Sequence, residues 1–283
     1  MGVVMSYKCF EVSIENKIAH IVLTRPEKRN SMIPEFWDEL PEIVEQIDAG
    51  AKARVIVISS TGPHFTAGLD LQAFFSPEQS AQDDSLGHGA AFYSTVQRMQ
   101  HSFSVLENCR IPVLAAIQGG CIGGGVDLST ACDMRYGSED AYFTIQETNI
   151  GMTADVGTFP RILNLMPEGI ARELAYTGRK IHAQEAMQHG LLNSVYETQE
   201  AMLAAVMEIA AQIAAHSPLA VYGCKRIINY SRDHSTADSL DYIGIWNASN
   251  LQPEIMMEAM AARAQKRPAE FSELPPMKQK ISS

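Results

Sequence analysis

The chain has 283 residues and a formal net charge of −11, with 46% hydrophobic and 19% charged residues. That length suits one domain with an appendage, and the composition suits a soluble globular protein with a sizeable core. The acidic balance argues against nucleic acid and anionic membrane surfaces as partners, while leaving room for a local basic pocket that binds an anionic ligand.

Residues 9–24 alternate apolar and polar on both sides of Glu15-Asn16-Lys17 and predict a hairpin. Residues 33–48 have helical apolar spacing, with Pro41 expected to kink or restart the helix. Residues 54–59, RVIVIS, predict a buried strand, and a turn containing Gly68 follows at 66–70. The Ser-, Gln-, Asp- and Gly-rich stretch 76–88 reads as a surface loop, and a helix of about five turns follows over roughly 90–108. A strand at 111–117 runs into GGCIGGG at 119–125, which opens a helix at Val126. Short strands are expected near 133–136, 142–145 and 191–196, with helices near 158–166 and 168–177.

From about residue 199 the strand signals stop, and helices are expected at 199–215, 218–231, 236–250 and 253–265. This shift divides the chain into an α/β core, 1–198, and a helical C-terminal region, 199–283. The second region carries more apolar residues than one small layer needs, among them Ile228, Leu240, Ile243 and Trp246, and subunit contacts are a reasonable outlet for them.

The five cysteines, Cys9, Cys109, Cys121, Cys132 and Cys224, form no CxxC pair and no zinc-ligand spacing; their apolar neighbours suggest reduced core thiols. The opening MGVVMSYK is too short and polar for a secretory apolar region. No apolar run approaches the ~20 residues that cross a bilayer. The final KISS is not an SKL-type address. A bacterial-type cytoplasmic protein is the expectation.

Three features carry candidate chemistry. In the turn Thr66-Ala67-Gly68-Leu69-Asp70, Gly68 permits positive φ and can aim the Leu69 N–H into a cleft; an ordinary strand-to-helix turn would look the same. Gly123-Gly124-Gly125 begins a helix, where free N–H groups stabilise negative charge; tight helix–strand packing is the ordinary alternative. The third feature is the set of acids Asp127, Glu147 and Asp155. Asp127 also suits the helix dipole, and Asp155 also suits an N-cap before Val156-Gly157-Thr158. The lone histidines have no partner at metal spacing, and GxSxG is absent.

Together these residues resemble the crotonase (enoyl-CoA hydratase/isomerase) superfamily over nearly the whole chain. TRPEKRN at 24–30 is similar to the family's first cleft segment, FTAGLDL at 65–71 to its first oxyanion loop, and GGCIGGGVD at 119–127 to its second. The resemblance implies an α/β spiral of ββα turns with a helical C-terminal trimerisation region, assembled as trimers or hexamers. It also implies an acyl-CoA thioester substrate, contacted through Thr66, Ala67, Gly68, Leu69, Asp70 and Gly124, with the N–H groups of Leu69 and Gly124 as the oxyanion hole. Coenzyme A would belong to the substrate, with no further cofactor and no metal.

Within the superfamily, Asp127, Glu147 and Asp155, with ADVGT at 154–158 and SRDHS at 231–235, resemble the Δ3,5-Δ2,4-dienoyl-CoA isomerases. In ordinary hydratases the positions of Asp127 and Glu147 are both glutamates, and that of Asp155 is typically glycine. The resemblance implies that Glu147 takes a proton from C2, Asp155 delivers one at C6, and Asp127 orients or tunes the pair. Alternatives on the same fold are an enoyl-CoA hydratase or a Δ3-Δ2-enoyl-CoA isomerase. A non-catalytic CoA-site or RNA-binding scaffold would call for a basic stripe that the acidic chain lacks.

Overall fold

The computed structural model describes residues 3–74 and 85–278. Strand β1 (Val3–Ser6) pairs antiparallel with β2 (Phe10–Glu15), which forms the expected hairpin with β3 (Ile18–Leu23). Asn16 and Lys17 turn it with φ of 51° and 67°, the left-handed conformation whose twist suits a two-residue hairpin. From β3 onward the sheet is parallel: β4 (Val55–Ser60), β5 (Val113–Ile117), β7 (Met134–Ser138) and β10 (Ser194–Tyr196) follow side by side.

Every residue of β4 and β5 is buried, and all are apolar except Ser59 and Ser60 at the end of β4, because both faces of the sheet are covered. Ile56, Ile58, Val113, Ala115 and Ile117 join the main core, to which helices α1 (Pro34–Ala49) and α3 (Ser85–Asn108) also contribute. Val55, Val57, Leu114 and Ala116 face the other way and meet Met202, Val206 and Ala210 of α8 (Gln199–Ala214). The change of element type at residue 199 is therefore not a gap in packing, since α8 completes the sheet's second face.

Helices α9 (Pro218–Ser231), α10 (Thr236–Asn250) and α11 (Pro253–Gln265) lie beyond it, close to the expected spans. The buried Lys225 of α9 donates to the carbonyls of Leu106 (2.6 Å) and Ile111 (3.0 Å) and pairs with Asp133 at 2.8 Å. The tail after α11 returns to the core: Arg54 makes two bonds to Glu273, of 3.0 and 2.9 Å, and Leu274 is buried. No single helix among the described residues is long and apolar enough to cross a membrane.

A second, three-stranded sheet builds the floor of the site. Strand β6 (Gly120–Ile122) pairs in parallel with β8 (Tyr142–Thr144), which pairs antiparallel with β9 (Ile181–His182). Strands β6 and β9 and helix α7 (Ala183–Gln188) are additions to the sequence expectation. The expected loop at 76–88 lies outside the described residues as far as residue 84, and α3 begins at Ser85, earlier than expected. A short helix α2 (Leu71–Phe74) precedes it. Four cysteines are buried as expected; Cys224 is exposed.

Pro41 does not interrupt α1, which is helical from Pro34 to Ala49. Proline at this position leaves the carbonyl of Trp37 without its N–H donor four residues on. The buried Ser102 of α3 supplies the substitute, its hydroxyl donating to Trp37 O at 2.7 Å. Ser102→Ala should thus cost about 1–2 kcal/mol, as for a buried carbonyl losing its partner. In a Pro41→Ala background, where residue 41 regains an N–H, the same change should cost less. Urea unfolding of the four proteins of this double-mutant cycle measures both, and equal costs in the two backgrounds would contradict the substitution.

Candidate active site

Two chain segments meet at the edge of the second sheet. The 65–69 loop runs beside β6, with Thr66 N–H donating to Gly120 O at 3.0 Å and Ile122 N–H to Thr66 O at 3.1 Å. Ala67 N–H donates to Arg29 O, Gly68 N–H to the Thr66 hydroxyl and Asp70 N–H to Met32 O. Among the described residues the Leu69 N–H alone in this turn has no acceptor. In the second segment Ile122 and Gly123 are paired, and Val126 and Asp127 both donate to Gly123 O. Gly124 is the first residue of α4 (Gly124–Ala131), and its N–H has no acceptor among the described residues.

Glycine is required where the segments touch. Gly68 has φ +79°, and a Cβ there would stand 2.5 Å from Ile122 O and 3.1 Å from Gly124 N. The Leu69 and Gly124 N–H groups are therefore brought into one small region.

Both line a cavity of about 340 Å³. Its apolar walls come from Trp37, Leu71, Met99, Ile122, Ile150 and Met152, and Asp127, Glu147 and Asp155 line it as well. Ala67 also lines it; Thr66 is buried under the loop, bonded to Asn30 O, and Gly68 and Asp70 are not part of the lining. The Asp70 carboxylate accepts from the Ser31 hydroxyl at 2.9 Å. A larger cleft of about 730 Å³ between α1, α3 and the C-terminal tail is lined by Asp38, Glu42, Glu45 and Asp48 and includes none of these loops. Among the described residues no cluster of three or more His, Cys, Asp or Glu side chains is placed to hold a metal ion.

The three acids occupy different environments. Asp127, in the first turn of α4, is fully buried, and its Oδ1 accepts from the Thr158 N–H at 2.6 Å and the Thr158 hydroxyl at 2.8 Å. It thereby caps helix α5 (Thr158–Ile162), whose own N-cap residue, Gly157, supplies no side chain. Asp155 is not the cap that its sequence position also suited. Burial, and next the charge of Glu147, push the Asp127 carboxyl up to about 7 despite the Thr158 bonds.

Glu147 opens a 3-10 turn after β8, lies against Gly123, and has a buried Oε2 without a hydrogen-bond partner among the described residues. Burial raises its pKa; its own backbone N–H pulls it partly back, and Asp155 raises it further. Asp155 is half-buried on the loop before α5, and burial raises its pKa too. Among the described residues no other residue donates to the Asp155 carboxyl. Thr158, Trp37 and Met99 are site residues that the sequence reading passed over. A threonine directly after Gly157 at a helix start was the one available signal, and the hydrophobic walls gave none.

Residues 13–273 match the enoyl-CoA hydratase/isomerase family, and the chain belongs to it. Among its relatives, the mitochondrial Δ3,5-Δ2,4-dienoyl-CoA isomerase of Homo sapiens is 41% identical, the match covering 93% of this chain and 81% of the relative. The peroxisomal Δ3,5-Δ2,4-dienoyl-CoA isomerase of Arabidopsis thaliana is 36% identical, over 95% of this chain and 99% of the relative. Among solved structures, an enoyl-CoA hydratase from Bacillus anthracis superposes with a TM-score of 0.80 at 28% identity, covering 95% of this chain and 98% of that one. These comparisons correct the expectation of a cytoplasmic protein. The isomerases it resembles are named mitochondrial or peroxisomal, and the cytoplasmic reading is withdrawn on that finding.

The buried Asp127 gives a pH-dependent test. An acid whose folded pKa lies above its unfolded value of about 4 holds an extra proton in the folded state between the two, so stability falls as pH rises from about 4 to about 7. Asp127→Asn keeps an acceptor for Thr158 and removes the charge. Relative to the parent it should gain on the order of 2–4 kcal/mol between pH 5 and pH 8, less where neighbours relax. Denaturant unfolding at both pH values measures this, and a constant difference would show that Asp127 does not titrate in that window.

Proposed function

We propose that the protein is a Δ3,5-Δ2,4-dienoyl-CoA isomerase acting in the oxidation of unsaturated fatty acids. The observation that carries the reading is one apolar cavity lined by Leu69 and Gly124, whose N–H groups have no acceptor among the described residues, and by two acids, Glu147 and Asp155, that no other described side chain engages. The relatives named above support it.

The C2–H of a 3,5-dienoyl thioester is acidic because its electrons can spread over the thioester oxygen, C4 and C6. The Glu147 carboxylate takes the C2 proton, and the N–H groups of Leu69 and Gly124 receive the charge that develops on the oxygen. Such a donor typically contributes ~3–4 kcal/mol to the barrier reduction. The Asp155 carboxyl then delivers a proton at C6, the C6–H bond forms, and the double bonds move to positions 2 and 4.

C2 and C6 are roughly 5 Å apart in an extended chain, close to the rise of one helical turn, so one carboxyl held within ~3 Å of its target does not serve both. Two acids in opposite protonation states do. The reaction leaves Glu147 protonated and Asp155 ionised, and proton exchange restores the starting state. Burial raises the pKa of both carboxyls, which favours the protonated form that each must visit. Asp127, engaged by Thr158, tunes the pair and fixes the start of α5. Net proton transfer requires no metal or redox cofactor, and coenzyme A enters as part of the substrate.

The protein also acts as a homotrimer or a hexamer built from trimers. Ile228, Leu240, Ile245, Met256, Met257 and Met260 on α9–α11 are all at least half exposed in the single chain, an apolar surface that subunit contact would cover. Sedimentation at micromolar concentration should give three or six copies, and a monomer alone would contradict this.

Incubation with a 3,5-dienoyl-CoA should produce the conjugated 2,4-dienoyl chromophore, whereas rapid hydration of a 2-enoyl-CoA without it would identify a hydratase. Asp155→Asn should lower isomerisation by at least ~10²–10⁴-fold. Exchange of the C2 proton with deuterated solvent, which depends on Glu147 and the N–H pair, should partly survive. Near-normal isomerisation by this variant would remove Asp155 from the mechanism.

A further inference from the structure

The Asp155 carboxyl has no side-chain partner among the described residues, so its position is set by the backbone that carries it. That backbone is held from behind. The carbonyl of Asp155 accepts from Gln100 Nε2 of α3 at 2.7 Å. The carbonyl of the next residue, Val156, accepts from Arg161 Nη1 of α5 at 3.3 Å.

Arg161 is fixed in turn. Its Nε donates to Glu107 Oε2 at 2.8 Å and its Nη2 to the Ser104 hydroxyl at 3.1 Å, with its side chain only 10% exposed. The other oxygen of Glu107 pairs with Arg232, the C-cap residue of α9, at 2.9 Å. Asn229 of α9 donates to the Glu107 carbonyl at 3.0 Å.

Gly157 shows that the loop is shaped around this guanidinium. Its φ is +130°, and a Cβ there would lie 1.9 Å from Arg161 Nη1. Any other residue at 157 would meet both backbone strain and collision with Arg161.

We propose that Arg161, locked by Glu107 and backed by Arg232, is a positioning residue that sets where the Asp155 carboxyl stands in the cavity. The proposal rests on the isomerase reading, in which Asp155 handles the C6 proton. It adds that the end of α9 takes part in the precision of that step without touching the substrate. A misplacement of about 1 Å can cost on the order of 10²-fold in rate, so a frame around a carboxyl with no side-chain partner has a large effect to exert.

The test uses the full-length protein and three variants. Arg161→Lys keeps the charge but cannot hold Glu107, Ser104 and the Val156 carbonyl together. Gly157→Ala displaces the guanidinium while leaving it present. Arg232→Ala removes only the outer partner. The proposal expects the first two to lose about 10–100-fold in kcat for 3,5-dienoyl-CoA with KM little changed. C2 exchange into deuterated solvent should be retained, so the ratio of exchange to isomerisation rises at least tenfold. Arg232→Ala should move the same ratio in the same direction by a smaller factor.

A purely structural role would lower stability yet leave that ratio at its parental value in the folded fraction, and this result would overturn the proposal. Amide hydrogen exchange followed by mass spectrometry separates failure of the frame from failure of the isomerase reading. If the parent does not isomerise the dienoyl-CoA, the isomerase reading fails by itself. The frame is then judged by whether Arg161→Lys speeds exchange at 154–157 at least tenfold over the rest of α5 and α3, and unchanged exchange there would overturn it.

Discussion

The site depends on the close approach of two backbone segments, 65–69 and 120–124, with no side chain between them. Along the junction the Thr66 N–H donates to Gly120 O and the Ile122 N–H to Thr66 O, and Gly68 stands where a single methyl group would strike the Ile122 carbonyl. Around this junction the N–H groups of Thr66, Ala67, Gly68, Asp70, Ile122 and Gly123 each have an acceptor. The N–H groups of Leu69 and Gly124 have none among the described residues, and both residues line the cavity. Two neighbouring N–H donors left open at one cavity wall suit a ligand atom with acceptor character. Much of the surrounding fold serves to hold the two segments together. Thr66 is tied to Asn30, Met32 to Gly68, and β6 to β8.

The partly enclosed cavity that holds those N–H groups also governs the acids. Removing water weakens the ionised form of a carboxyl and strengthens the effect of a fixed dipole on developing charge. Asp127, Glu147 and Asp155 all have raised pKa values with burial as the first cause. They differ in what else touches them. Asp127 is bonded to Thr158 and fixes a helix start, Glu147 has one oxygen with no partner among the described residues, and Asp155 stands on a loop secured through its carbonyl. Three neighbouring carboxyls thus have room for three roles.

Much of this was legible in the sequence. The alternation of 9–24, the apolar run in β4 and the spacing of α8–α11 each report a local periodicity, and those elements stand close to where the spacing puts them. The three acids and both glycine loops were visible as residue types that ordinary packing explained only one at a time. What was not legible depends on partners distant in sequence. Strands β6 and β9, of three and two residues, exist because β8 lies between them, and no periodicity is readable over so few positions. Pro41 reads locally as a helix breaker, and only Ser102, on another helix, explains why α1 continues. Asp155 reads locally as an N-cap, yet the cap is Asp127, more than two dozen residues earlier.

The central claim is that the Leu69 and Gly124 N–H groups and the two free acids form one reaction site. A crystal structure of the protein with a non-isomerisable dienoyl-CoA analogue measures it most directly. The account predicts the thioester oxygen at about 2.7–3.1 Å from both nitrogens, with Glu147 within hydrogen-bond reach of C2 and Asp155 within reach of C6. A thioester oxygen bound away from the two N–H groups, or an acyl chain that leaves the 340 Å³ cavity empty, would contradict it.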